Sequence, residues 1–353
     1  MLFFRLRSGC CLIFILLLLS SKLLVAQANF PYAGYTKCSW EGITCMDSSF
    51  RSSDSSLIIV STRNALPGAT LRTAFLGTEI AADSLLRYYT IYFNGNNWKA
   101  VPRRTLADAL DASGGQTDYA VYTEGDGKTF PKALDRATRL SRLYGANVIM
   151  FDWPTQIPGA RVIHNVHNTV RNSKKLGKQY HTLLLLLKSY KSQHPAKIAH
   201  LSLFFHSLGN AVFKNSVEKC GSMGFEGLAD DIILNAACVP AFGHRRWIEK
   251  LAFNCPVYII FNRKDKTLRA ASLLFHKRFL GCQLNHRHAS NAVYVNIHSI
   301  AMNKHNYFLI LPLLNEHPQI KDFFYSLLHG QSPPFTNEYV FRLQKKNRIY
   351  TFL

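Results

Sequence analysis

Three residues of this chain, Ser207, Asp265 and His305, are of the types that together activate a hydroxyl group. A serine hydroxyl is a weak nucleophile near neutral pH. It becomes effective when an imidazole takes its proton and a carboxylate holds that imidazole in one tautomer. Each of the three follows an apolar, β-rich run. HLSLFF (200–205) precedes Ser207, PVYIIFN (256–262) precedes Asp265, and AVYVNIH (292–298) leads to the loop carrying His305. Each also has a plain structural reading. Ser207 can simply end a buried strand. Asp265 can cap a helix that begins near Leu268. His305 is one of 14 histidines, and His298 at the end of the last run competes with it. Their order, each behind its own strand, is what favours chemistry over coincidence.

Elements that must position these residues can be read from periodicity. Eight apolar runs recur: SLIIVST (56–62), YTIYFN (89–94), DYAVYT (118–123), NVIMFDW (147–153), HLSLFF (200–205), DIILNAA (231–237), PVYIIFN (256–262) and AVYVNIH (292–298). From the third onward they alternate with helical patterns. Residues 130–144 carry Leu134, Ala137, Leu140 and Tyr144 at three- and four-residue steps, between Pro131 and Gly145. Residues 173–190 place Leu176, Tyr180, Leu183, Leu184 and Leu187 on one face. Further helices are expected at 209–220, 243–252, 268–280 and 316–329. The expectation is an α/β fold with a mostly parallel eight-stranded sheet and helices on both faces. Active sites of such sheets lie at the carboxyl ends of the strands.

Ser207 stands where a strand turns sharply into a helix. Such a turn brings backbone close to its neighbours and demands small residues two positions on either side of the serine. Gly209 meets the demand on one side. Phe205 does not meet it on the other. Catalysis also needs donors for the oxyanion. The N–H of Leu208 is one expected donor. The other is expected from Gly125 or Asp126, in the Thr123-Glu124-Gly125-Asp126-Gly127 loop after the third run. Glu124 is an awkward neighbour for an oxyanion, and pairing with a nearby arginine would account for it.

The chain resembles the α/β-hydrolase superfamily, and in particular a bacterial esterase/lipase-like branch of undefined function. The resemblance spans roughly residues 56–315. Its motifs are IIVSTRN, YTEGDGKTFPKALDRATRL, FDWP, the elbow Phe205-His206-Ser207-Leu208-Gly209-Asn210, Asp265 three residues before Leu268, and His305-Asn306-Tyr307-Phe308. The resemblance implies a triad of Ser207, Asp265 and His305, the same residues reached from their positions. Phe205 in place of a small residue and Glu124 in place of histidine depart from the pattern.

Residues 1–28 read as a secretory signal: Arg5 and Arg7, the apolar run CCLIFILLLL, then Ala26-Gln27-Ala28 before the expected cleavage. Lys22 interrupts the apolar stretch, which is too short to span a membrane. The expected location is secreted or periplasmic. Residues 29–55 read as an irregular leader, 56–330 as the catalytic domain and 331–353 as a basic tail. The net charge of +21 favours anionic surfaces, such as an anionic membrane, or an unpartnered basic surface. No zinc-finger, RRM or basic-zipper pattern points to sequence-specific nucleic acid. Cys38 and Cys45 lie close enough in sequence for a local disulfide. No Cys/His set has metal spacing, and the triad chemistry requires neither metal nor organic cofactor. The function expected is a serine hydrolase acting on a small acyl ester or lipid. The alternatives are a catalytically impaired relative that binds anionic surfaces, or an acyltransferase with the same triad.

Overall fold

Runs of β-branched and aromatic residues separated by amphipathic stretches require a sheet covered by helices. The computed structural model describes residues 38–66, 75–95, 97–114, 117–284, 287–338, 340–344 and 349–353. The expected signal segment lies outside the described residues.

The strands are β1 (Ile43–Cys45), β2 (Ser55–Ser61), β3 (Arg63–Ala65), β4 (Leu76–Ile80), β5 (Arg87–Asn94), β6 (Asn97–Arg103), β7 (Asp118–Thr123), β8 (Asn147–Asp152), β9 (His200–His206), β10 (Asp231–Asn235), β11 (Val257–Phe261), β12 (Ala292–Asn296), β13 (Phe341–Gln344) and β14 (Ile349–Phe352). Twelve form one sheet in the order β1-β6-β5-β2-β8-β7-β9-β10-β11-β12-β14-β13, and β3 pairs with β4 apart from it. The pairings make β5 and β13 the strands that run against the rest. Every strand from β8 to β14 in that order is parallel to its neighbour.

The fold is thus α/β with a large, mostly parallel sheet, but the sheet has 12 strands and not eight. All eight apolar runs form strands. The four additions β1, β6, β13 and β14 lack the signal that marks a buried parallel strand. β6 (NWKAVPR) contains Lys99 and Pro102, and the other three are edge or near-edge strands of three or four residues. Two boundaries change accordingly. The leader contributes β1, which pairs with β6. The basic tail docks on its own domain: β14 lies parallel to β12, and β13 closes against β14.

Helices α1 (Leu106–Asp111), α2 (Phe130–Tyr144), α3 (Val162–Lys175), α4 (Gly177–Gln193), α5 (Gly209–Cys220), α6 (His244–Ile248), α7 (Lys266–Phe275), α8 (His298–Ala301), α9 (Leu311–Glu316) and α10 (Pro318–Leu328) connect the strands. α3 had no counterpart in the periodicity. Its sequence, VIHNVHNTVRNSKK, buries mainly Asn165, Thr169, Asn172 and Ser173, so its inner face is polar. α4 behaves as its leucines require: Leu176, Tyr180, Leu183, Leu184 and Leu187 are all buried.

Strand alternation divides the core between two faces. Along β9, Leu201, Leu203 and Phe205 join the cluster that includes Tyr180, Leu183 and Leu187 of α4 and Val212 and Phe213 of α5. Phe204 faces the other way, against Tyr122, Phe308 and Phe324. His206 shares that second face, on the side of the loop that carries His305. The six described cysteines are free thiols, so the local Cys38–Cys45 disulfide is not formed.

Candidate active site

Ser207 follows β9 directly and precedes α5. Its φ of +53° lies in the left-handed region that residues with a side chain rarely adopt. Such strain persists only where surrounding structure enforces it. Here Ser207 N–H donates to Asn235 O at 3.1 Å, and Ser207 O accepts from Cys238 N–H at 3.0 Å. Asn210, fully buried, braces the turn from inside the helix. Its side-chain amide donates to Ser207 O at 2.9 Å and to Phe205 O at 3.2 Å.

Close approaches around this turn explain two glycines. A Cβ on Gly209 would stand 2.2 Å from Thr123 O. A Cβ on Gly125 would stand 2.6 Å from Ser207 Cβ. Phe205 escapes this constraint because its ring points into the opposite face. It stacks on Phe213 with centroids 4.4 Å apart and meets Tyr180 at 5.5 Å. It therefore fills core beneath the helices and does not narrow the space around Ser207.

Asp265 and His305 are brought together. His305 Nδ1 lies 2.6 Å from Asp265 Oδ2. The helix-capping role also holds: Asp265 Oδ1 accepts from Leu268 N–H at 3.0 Å. One carboxylate thus does both, with a different oxygen for each. Donation from Nδ1 leaves His305 Nε2 as the ring nitrogen able to accept a proton. The His305 loop is pinned from several sides. Asn262 donates to Met302 O and Lys304 O at 2.9 Å each, Tyr144 O–H donates to Phe308 O at 2.7 Å, and Tyr307 O–H donates to Asn235 Oδ1. His298 opens α8 and makes no bond to Asp265 or Ser207 among the described residues.

Ser207 is 8% exposed, and His305 is partly exposed. No hydrogen bond joins Ser207 Oγ to the His305 ring. His206, which precedes Ser207, is the residue of this turn that approaches His305. The His206 and His305 rings stand 4.7 Å apart, and His206 Nε2 lies 3.5 Å from His305 O.

Leu208 N–H, one donor expected for an oxyanion, has no hydrogen-bond partner among the described residues. Gly125 does not fit the role expected of it. Its N–H donates to Glu124 Oε1 at 2.7 Å, so that amide is already committed. Gly125 contributes its missing side chain instead, by letting the loop lie against the serine. Asp126 turns its carboxylate toward α3, accepting from Thr169 O–H at 2.6 Å and from the Asn165 amide at 3.0 Å.

Sequence reasoning missed the main partner of Glu124, which is His206. His206 Nδ1 lies 2.6 Å from Glu124 Oε1, and Tyr122 O–H donates to Glu124 Oε2 at 2.7 Å. Arg136 also pairs with Glu124, more loosely, at 3.9 Å. Burial opposes a charge on Glu124. The His206, Arg136 and Lys128 groups outweigh it and hold the carboxyl well below its ordinary range. Burial pushes His206 down, toward the neutral imidazole, although Glu124 opposes this. Burial also lowers Lys128 to about 8, and its ammonium donates to Asp126 O at 2.8 Å. A signal for the Glu124–His206 pair existed in the strands. Tyr122 is in register with Phe204 across β7 and β9, so the residues two further along, Glu124 and His206, share a face.

The quoted motifs also meet one another. Arg63, from the Thr-Arg pair, is buried and binds Asp152 at 2.9 Å and Trp153 O at 2.8 Å. Trp153 Nε1–H in turn donates to Glu124 O at 2.9 Å. Cys238, beside the turn, is pushed up by burial, which keeps its thiol protonated and unreactive. Among the described residues no group of three His, Cys, Asp or Glu side chains is placed to hold a metal ion. Among them no helix is long and apolar enough to cross a membrane. The chain matches no protein-family model, and no curated protein matches it.

Proposed function

We propose that the chain is a serine hydrolase of the α/β-hydrolase type, acting on carboxylic esters. The observation that carries this reading is the strained Ser207 at the β9–α5 turn, on the same sheet edge as a carboxylate-backed imidazole. In the proposed cycle, His305 Nε2 takes the proton from Ser207 Oγ as the oxygen attacks the acyl carbonyl. Asp265 holds the imidazolium that forms. Leu208 N–H and the Asp126 amide receive the oxyanion. His305 then gives its proton to the leaving alkoxide, and an acyl-enzyme remains on Ser207. Water, deprotonated by His305, releases the acid.

A fluorophosphonate probe tests the reading. Wild type is expected to be labelled on Ser207, and Ser207→Ala is expected to lose the label. An unlabelled wild type, or equal labelling of the variant, overturns the assignment. The committed Gly125 amide and the unmade Ser207–His305 bond favour a second reading, a catalytically impaired relative that binds without turnover. That reading predicts the unlabelled outcome.

A further inference from the structure

We infer that a basic pocket against α7, separate from Ser207, binds the phosphate headgroup of an anionic phospholipid. The pocket is an open concavity of about 440 Å³. Arg269, Lys277 and Arg278 bring three cations to it. His276, Ser272 and Gln283 add further polar groups, and no acidic side chain lines it. None of the three cations has an ion-pair partner among the described residues. Cations without ion-pair partners lining one concave site match the oxygens of a phosphate, which a guanidinium can bind two bonds at a time.

The rim distinguishes a lipid from a soluble phosphate. Leu273, which lines the pocket, is 65% exposed, and its neighbour Leu274 is 43% exposed. Phe242 is 80% exposed and adjoins Ala241, whose N–H donates to Arg278 O at 2.8 Å. Large apolar side chains held in water around a cationic pocket fit the boundary between headgroups and acyl chains. The net charge of +21 draws the molecule to such a surface before the pocket engages. Asp265 caps the start of α7, so the same helix would hold the membrane beside the proposed catalytic edge. The anion site itself does not depend on Ser207 being a nucleophile.

The test is sedimentation of the full chain with large vesicles at about 0.1 M salt. One set is phosphatidylcholine alone, and the other contains about a third phosphatidylglycerol. Binding to the anionic vesicles is expected to exceed binding to the neutral ones at least about tenfold. The triple variant Arg269→Gln, Lys277→Gln, Arg278→Gln is expected to lose roughly 100-fold in partitioning, about fivefold per charge. Leu273→Ser, which leaves every charge in place, is expected to lose roughly tenfold. A charge-matched control, Lys174→Gln, Lys175→Gln, Lys178→Gln on α3 and α4, is expected to stay within about threefold of wild type. Equal losses in the two triple variants would reduce the effect to net charge and overturn the site. So would wild-type partitioning of Leu273→Ser. Calorimetric titration with glycerol phosphate supplies the remaining arm. Tight saturable binding there, without preference for anionic vesicles, would assign the pocket to a soluble phosphate and refute the lipid.

Discussion

Glu124→Gln removes one buried charge while keeping nearly the same shape. The amide oxygen can still accept from Gly125 N–H and His206 Nδ1–H, so the loop need not move. What changes is the field at His305. The 2.6 Å contact to His206 and the 4.7 Å between the imidazole rings put the Glu124 carboxylate within about 8 Å of His305. At that distance a unit charge contributes about 2 kcal/mol at an effective dielectric of 20, and about 0.5 kcal/mol in water. Removing it disfavours the imidazolium, and Arg136 and Lys128 remain to oppose it. Forming the imidazolium of His305 should therefore cost about 0.5 to 2 kcal/mol more. In a profile of kcat/KM against pH for a p-nitrophenyl ester, the acid limb should move to lower pH. The plateau should drop roughly tenfold, because a weaker base stabilises less positive charge in the transition state. A lowered plateau with an unmoved limb would mean that Glu124 only supports structure. A limb displaced upward would refute the electrostatic reasoning. Fluorophosphonate labelling against pH gives the same limb without a substrate.

Three further outcomes follow from the packing. Phe205→Ala removes a ring stacked on Phe213 and should cost about 3 to 5 kcal/mol of stability in urea unfolding, while labelling of Ser207 per folded molecule stays near wild type. A large gain or loss in labelling rate would place the ring in the site after all. Arg63→Ala strands the buried Asp152 carboxylate and should cost about 3 to 5 kcal/mol, a fall in Tm of roughly 10 °C; an unchanged Tm would show that the pair is not desolvated. Acid should destabilise the fold in two stages. His206 is held below its ordinary 6.5, chiefly by burial, so the unfolded chain takes up the proton first and stability declines as pH falls through 6.5. Glu124 is held well below its ordinary 4.5, with its cationic neighbours outweighing burial, so its contribution is present above 4.5 and is lost below. A Tm that rises on acidification from pH 7 to 4 would contradict both.

By itself, the sequence determined the strands and helices whose burial is continuous. The eight apolar runs became β2, β5 and β7–β12, the 12-residue helix before Gly221 ended at Cys220, and the leucine face of α4 is the buried one. Period and burial are tied together in such segments, so composition suffices. It also placed Asp265 and His305 in loops that meet, because the carboxyl ends of parallel strands share one edge. Strands with one exposed face or only three or four residues were out of reach, since edge pairing depends on which backbone lies alongside. That is why β1, β6, β13 and β14 emerge only in the folded sheet. Tertiary structure alone decided the direction of side chains around Ser207. Phe205 turned into the core, Gly125 spent its amide on Glu124, and His206 found a carboxylate 82 positions away. Each depends on which face of β9 a residue occupies and on what packs against that face. Local sequence carries the alternation, but not the neighbour that completes it.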